Sequence, residues 1–225
     1  VTTPRVVLRD VRKSFGSTQA LAGVDLRAQA GEVHAVLGEN GAGKSTLMKV
    51  LAGIVAPDAG ELLLDGARWQ PRGPADARAQ GMAMVHQELA LCPHLDVAAN
   101  VILGIEPTRF GVVQWRTAGS LVEEALARAF GQRAIDPRAR VADLSVADRQ
   151  LVEIARALAT ARASGRALRL LVLDEPTSSL GASDADRLLS LVRDLAARGT
   201  TVLYVTHVLE EVSRIAERFT VLRDG

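Results

Sequence analysis

A chain of 225 residues with 48% apolar content is long enough for one large α/β domain, or two closely packed lobes, around a sizeable core. Its 27 basic and 26 acidic residues leave a net charge of +1 with no long single-sign run, and aromatics are only 3%, which argues against a nucleic-acid surface, an anionic-membrane surface or a base-stacking platform. No apolar stretch approaches the roughly eighteen residues needed to cross a bilayer and the N-terminus lacks a signal-peptide core, so the expected location is cytoplasmic, and a lone Cys92 with only His94 nearby excludes an internal disulfide and offers no zinc cluster.

Apolar runs at 5–11, 23–28 and 32–37, separated by glycine turns and followed by a pair at 61–64 and Asp65-Gly66, predict a small antiparallel sheet leaning on a second core. Phe15 closes the first strand, where its ring can stack on a purine; packing on the core fits the spacing equally well. The run 32–37 (EVHAVL) reads as a buried strand that delivers Gly38-Glu39-Asn40-Gly41-Ala42-Gly43-Lys44-Ser45-Thr46, and a helix is expected over 45–52. Glycine, four residues, then Gly-Lys-Ser between a strand and a helix is the phosphate-binding loop pattern. Gly38, Asn40, Gly41, Ala42 and Gly43 form the cradle, and the amides of 41–46, Thr46 included, point at phosphate oxygens with help from the positive end of the helix. Lys44 reaches the β- and γ-phosphates and the Ser45 hydroxyl ligates Mg²⁺. A nucleoside triphosphate site is the reading.

Next, 81–85 (GMAMV) predicts a short buried strand ending in His86-Gln87-Glu88, which makes Gln87 the candidate to meet the metal or the attacking water. From 89 to 143 the pattern turns helical, at 97–103 and then 115–130, where Leu121, Val122, Ala125, Leu126 and Ala129 share a face; Pro93, Pro107 and Gly111 punctuate this separable lobe. Ser145 is an N-cap for a helix whose Leu151, Ile154, Ala155 and Leu158 repeat at helical spacing, by itself an ordinary role. Residues 160–169 read as a mobile basic loop with no assigned chemistry. The unbroken apolar run 170–173 predicts a buried parallel strand carrying Asp174 and Glu175 to its end. Two acids there are often only turn residues, but beside a phosphate loop they divide into an Asp174 that holds Mg²⁺ and a Glu175 that orients or deprotonates water. A strand at 201–205 ends in Thr206-His207, aiming His207 at the γ-phosphate, and a helix at 209–216 and a strand at 219–222 follow.

GENGAGKST, HQE, LSVADRQ, LVLDEPTSSL and VTH, in this order, resemble the nucleotide-binding domain of an ATP-binding cassette (ABC) transporter over nearly the whole chain. The phosphate loop alone admits GTPases, kinases and helicases; LSVADRQ shortly before the LVLDE strand narrows the choice. The resemblance implies a P-loop NTPase core, a RecA-like parallel sheet flanked by helices, with an antiparallel β subdomain and a helical subdomain. The expected division of the single domain 1–225 is 1–87 and 160–225 for the nucleotide-binding core and 88–159 for the helical signature subdomain. The cofactors implied are ATP and Mg²⁺. Phe15 becomes the adenine-stacking ring, and Gln87 the residue that senses metal and touches the membrane partner. Ser145 belongs to the signature that completes a neighbour's ATP site, Glu175 is the catalytic base and His207 the γ-phosphate switch.

MVHQELALCPHLDVAANVILGIEP and DLSVADRQLVEIARAL are similar to the monosaccharide importer subfamily, in which two cassettes are fused; the pattern resembles the first, and the end at Arg223-Asp224-Gly225 fits a fragment. The partners implied are the second cassette, transmembrane permease subunits and, indirectly, a sugar-binding protein, at the cytoplasmic face of the membrane. Departures accompany this. Ala147 stands where the usual LSGGQ has its second glycine, and its methyl is expected to narrow the approach to the partner's γ-phosphate. Ser178-Ser179-Leu180-Gly181 lacks the usual aspartate at 181, and the loop at 160–169 is longer than the family norm. Two other functions compete with an import ATPase: a nucleotide-gated dimerisation module with little hydrolysis, and a soluble ABC protein of DNA repair or translation. The segment 88–143 is too short for the long coiled coil of the chromosome-associated relatives, and the neutral charge argues against nucleic acid.

Overall fold

The computed structural model describes residues 4–87, 89–131 and 133–225. Glu88 of the HQE motif therefore lies outside the described residues. The chain opens with β1 (Val6–Phe15) and β2 (Thr18–Ala28), a long antiparallel pair, followed by β3 (Val33–Leu37) and α1 (Lys44–Leu51). β4 (Ala59–Leu64) and β5 (Ala67–Arg68) then complete an antiparallel sheet in the order β2-β1-β4-β5. After α2 (Pro74–Ala79) and β6 (Met82–Val85) come α3 (Val97–Ile102), the small hairpin β7 (Thr108–Arg109) and β8 (Val112–Val113), and α4 (Trp115–Phe130). The remaining elements are α5 (Val146–Ala163), β9 (Leu170–Asp174), α6 (Ala182–Ala197), β10 (Thr201–Thr206), α7 (Leu209–Ile215) and β11 (Arg218–Val221).

The second sheet has the order β11-β3-β10-β9-β6, every neighbouring pair parallel. Its central strands are buried on both faces, as unbroken apolar runs require. Alternation sorts their side chains by face. Leu171, Leu173, Val202 and Tyr204 join the core that contains α3, α4, α5 and α6, whereas Leu170, Val172, Leu203 and Val205 join the one containing α1 and the antiparallel sheet. Each fully buried leucine in this stack contributes about 2 kcal/mol by leaving water.

One expectation needs correction, and one element lies outside the expectations. The segment 160–169 is not all loop, because α5 runs on to Ala163. Thr160, Ala161, Arg162 and Ala163 are mostly good helix formers, and the helix stops where Gly165 takes φ 68° and Arg166 N–H donates back to the Ala161 carbonyl at 3.1 Å. The 16-residue helix α6 went unforeseen although Leu188, Leu189, Val192 and Leu195 form its buried stripe. Gly181 at its N-cap carries no side chain to announce it.

Candidate nucleotide site

The parallel register places four strand ends side by side. Leu37 of β3 pairs with Thr206 of β10, Val205 of β10 with Asp174 of β9, and Leu173 of β9 with Val85 of β6. The phosphate loop, His207, the acid pair and Gln87 therefore leave the sheet in adjacent rows, where open α/β sheets hold their ligands.

The loop is shaped by close approach. A side chain on Gly38 would meet the Leu222 carbonyl oxygen at 2.6 Å, and one on Gly43, at φ 105°, would meet that of Ala20 at 2.6 Å. Only glycine fits either position. Lys44 is buried to 7% exposure as the first residue of α1, and its Nζ donates to the carbonyls of Gly38 at 2.6 Å and Glu39 at 3.0 Å. Two of its three donors thus brace the loop, and one remains for a phosphate oxygen. Gly38, Asn40, Gly41 and Ala42 line one wall of a groove of about 850 Å³ whose other walls include His207, Leu209 and Leu222. Ser45 is exposed and Thr46 half-buried at the start of α1.

Glu175 holds φ 45°, a left-handed conformation that costs a non-glycine residue on the order of 1 kcal/mol. Its N–H donates to the Val205 carbonyl at 2.9 Å, which ties the strained turn to β10. The Glu175 Oε1 accepts from His207 Nδ1 at 3.1 Å, with the carboxylate largely buried and the imidazole open to solvent. An ionised carboxylate only accepts, so Nδ1 carries the proton and Nε2 is left facing away. Burial pushes the Asp174 carboxyl above the usual carboxylate range and Glu175 adds to the push, while His86 and Lys44 pull it down. Such a group gains from a bound cation, so the donor set of Ser45 and Asp174 suits an oxygen-seeking divalent ion such as Mg²⁺. No ready-made cluster of three or more acids, histidines or cysteines exists among the described residues.

Of the candidate residues, Gly38, Asn40, Gly41, Ala42 and His207 line the groove and the others do not. Phe15 is 49% exposed at the end of β1, with Lys13 Nζ 5.6 Å from its ring centroid. Gln87 is exposed, two residues beyond β6. Ser145 caps α5 by accepting from the Asp148 N–H at 3.1 Å. Ala147 departs from expectation. It is 8% exposed and lines a small gap between α5 and α6 with Leu180 and Leu188, so its methyl is spent inside the chain. Ser145 and Val146 are the exposed residues of that turn, and Val146, at 45%, stands at the first glycine of the LSGGQ pattern.

Sequence reasoning missed two supports. Asp148 receives both guanidinium arms of Arg133, which anchors the start of α5. Glu211 of α7 accepts from Thr177 at 2.5 Å, Tyr204 at 3.0 Å and Thr206 at 3.1 Å, linking the segments that carry Glu175 and His207. The signal was a buried tyrosine two residues before Thr206, which needs a hydroxyl partner.

A glycine-rich loop between strand and helix, an acid pair on the neighbouring strand end but one and a helical layer over the same sheet define a P-loop nucleotide-binding cassette. The chain belongs to the ABC transporter family, whose model matches residues 21–178. It is 48% identical over 222 residues to the ribose import ATP-binding protein RbsA 1 of Rubrobacter xylanophilus, covering 99% of this chain and 43% of that protein. It is 44% identical over 223 residues to the ribose import ATP-binding protein RbsA of Chromobacterium violaceum, covering 98% and 43%. The chain thus spans less than half the length of these relatives. Among solved structures it is similar to a dimeric ATP-binding cassette in a post-hydrolysis state bound to ADP and Pi, with TM-score 0.79, 27% identity, and coverage of 98% of this chain and 95% of that one. It is also similar to the ADP conformation of another cassette of an ABC transporter, with TM-score 0.83, 25% identity and coverage of 100% and 89%.

Proposed function

We propose that this chain binds ATP with Mg²⁺ and hydrolyses it to drive import of a monosaccharide, as one cassette of a pair. The observation that carries the reading is the meeting of Glu175 and His207 beside Asp174, on strand ends adjacent to the phosphate loop. Glycine amides of the loop and Lys44 hold the β- and γ-phosphates. Ser45 and Asp174, with Gln87, would hold Mg²⁺, which when bound would supply neutralisation of charge on the phosphate oxygens. Glu175 takes a proton from water as its oxygen bonds to the γ-phosphorus; the bond from that phosphorus to the bridging oxygen breaks, and ADP leaves with the electron pair. His207, held through Nδ1, donates from Nε2 to a γ-phosphate oxygen when its imidazole carries both protons. Phe15 stacks on adenine, and Ser145 with the backbone at Ala147 closes the site of a partner cassette.

The relatives' names support a sugar as cargo, and their length, of which this chain spans 43%, leaves room for a second cassette, which we place on the C-terminal side. Permease subunits and a sugar-binding protein complete the assembly, with 88–159 as the helical signature subdomain. No helix among the described residues is long and apolar enough to cross a membrane, and the proposed place beside the permease is peripheral, on the cytoplasmic face. The test is Glu175→Gln in the paired assembly: MgATP affinity by calorimetry should persist while turnover falls on the order of 10²-fold or more. Undiminished turnover overturns the assignment.

A further inference from the structure

The basic segment after α5, which the nucleotide chemistry does not use, closes one side of a cavity of about 650 Å³. Six arginines line it, Arg5, Arg128, Arg162, Arg166, Arg169 and Arg198, against two carboxylates, Glu124 and Asp194. Leu158, Leu168, Leu191 and Leu195 give it an apolar floor.

The cavity is remote from the phosphate loop. Arg169 and Thr200 stand just before the first residues of β9 and β10, whereas Glu175 and His207 follow their last, so the length of a five-residue strand, about 16 Å, separates the two.

Four of the arginines are already engaged. Arg5 and Arg169 share Asp65, each at 2.8 Å, and Arg128 and Arg162 share Glu124 at 2.8 and 3.3 Å. Among the described residues Arg166 and Arg198 have no ion pair and no side-chain hydrogen bond, although Asp194 lies one turn before Arg198. The Arg5 Nε is a buried N–H without a partner.

Arginines often gather at helix C-termini to satisfy the last carbonyls, and both α5 and α6 end here. That explanation fails for Arg166 and Arg198, whose guanidiniums reach no carbonyl. The two helix ends subtract only about one charge between them. The cavity remains cationic even with Asp65 counted.

We propose that this cavity is a second ligand site, separate from the nucleotide, for a small soluble polyanion: a compact body bearing two phosphate groups, held bidentately by the forks of Arg166 and Arg198 with the body over the leucine floor. Guanidinium forks match phosphate oxygens in pairs, and the volume falls in the range of small-molecule sites.

Calorimetry on the chain, with pyrophosphate and fructose 1,6-bisphosphate as probes, tests this. At least one probe should bind at one equivalent, weaken with added salt, keep its affinity in Lys44→Ala and lose about tenfold or more in Arg166→Gln/Arg198→Gln. The Arg166→Lys/Arg198→Lys pair keeps the charge without the fork and should recover part of the affinity with an unchanged melting curve. Neither probe binding up to about 10 mM, affinity lost in Lys44→Ala, or affinity indifferent to both arginine pairs would each overturn the proposal. Co-sedimentation with phosphatidylglycerol vesicles through the same two arginines, without binding of either soluble probe, would assign the patch to a lipid surface instead and also overturn it.

Discussion

On the proposed reading Lys44 is poised between two tasks, because the same ammonium that braces the loop carbonyls of Gly38 and Glu39 would also serve phosphate. Lys44→Ala should therefore weaken MgATP binding by about tenfold or more, a charge-assisted contact being worth about 1.5–3 kcal/mol. Calorimetry reads the loss, and unchanged affinity would remove Lys44 from the site. Asp174 carries the opposite tension. Its carboxyl binds a proton more tightly in the folded chain than in the unfolded one, because burial and the neighbouring Glu175 penalise the charge. Such a group favours folding at acid pH, and that contribution is lost as pH rises through its raised native value. Asp174→Asn should accordingly raise the melting temperature at neutral pH without Mg²⁺, and the gain should vanish below about pH 3, where the wild-type carboxyl is neutral in both states. A neutral-pH melting temperature lowered by the change would mean that Asp174 is held by compensating partners rather than exposed to a desolvation cost. The same substitution should flatten the dependence of ATP binding on Mg²⁺.

Among the elements, α6 shows what the pattern alone conceals. Gly181 at its N-cap has φ −71° and ψ 161°, ordinary extended backbone, and a side chain built there meets nothing within 4 Å. The missing aspartate is thus a missing cap as well as a departure from the family pattern. Gly181→Asp should stabilise the chain by roughly 0.5–1 kcal/mol through a cap bond and the helix dipole, read as a shift in urea midpoint with unchanged slope. No shift would show that the loop before α6 holds the amides another way. The central strands and α4 were legible because their sequences carry the period of their burial: unbroken apolar runs for β3 and β9, a helical stripe ending at Phe130 for α4. The phosphate loop and acid pair were legible because covalent spacing fixes them. The burial of Ala147 was not, since it depends on Leu188 of α6 and on Leu180 just before that helix packing against the start of α5. Glu211 was hidden for the same reason: its partners Thr177 and Thr206 are brought to it only when α7 folds back on β10.

At the scale of the whole molecule, the proposed reading gives the chain both halves of a site that it does not close on itself. The phosphate loop lines the groove at the sheet's carboxyl end, whereas Ser145 is engaged at the start of α5, where it caps its own helix. The chain alone is therefore expected to bind ATP and hydrolyse it poorly, with a partner cassette supplying the signature. Whether two copies can substitute for that partner turns on the side chain that the signature turn presents. Ala147 cannot be the obstacle, because its methyl is buried within the chain; Val146 projects where the LSGGQ pattern carries only hydrogen. In a Glu175→Gln background, where hydrolysis does not reset the pair, Val146→Gly should strengthen MgATP-dependent self-association by removing an apolar group that crowds the approach. Ala147→Gly should leave association unchanged while lowering stability by up to about 1 kcal/mol, the cost of glycine in a helix. Light scattering with and without MgATP separates the two variants. Stronger association in Ala147→Gly but not in Val146→Gly would return the steric conflict to Ala147 and require the start of α5 to rotate when cassettes meet.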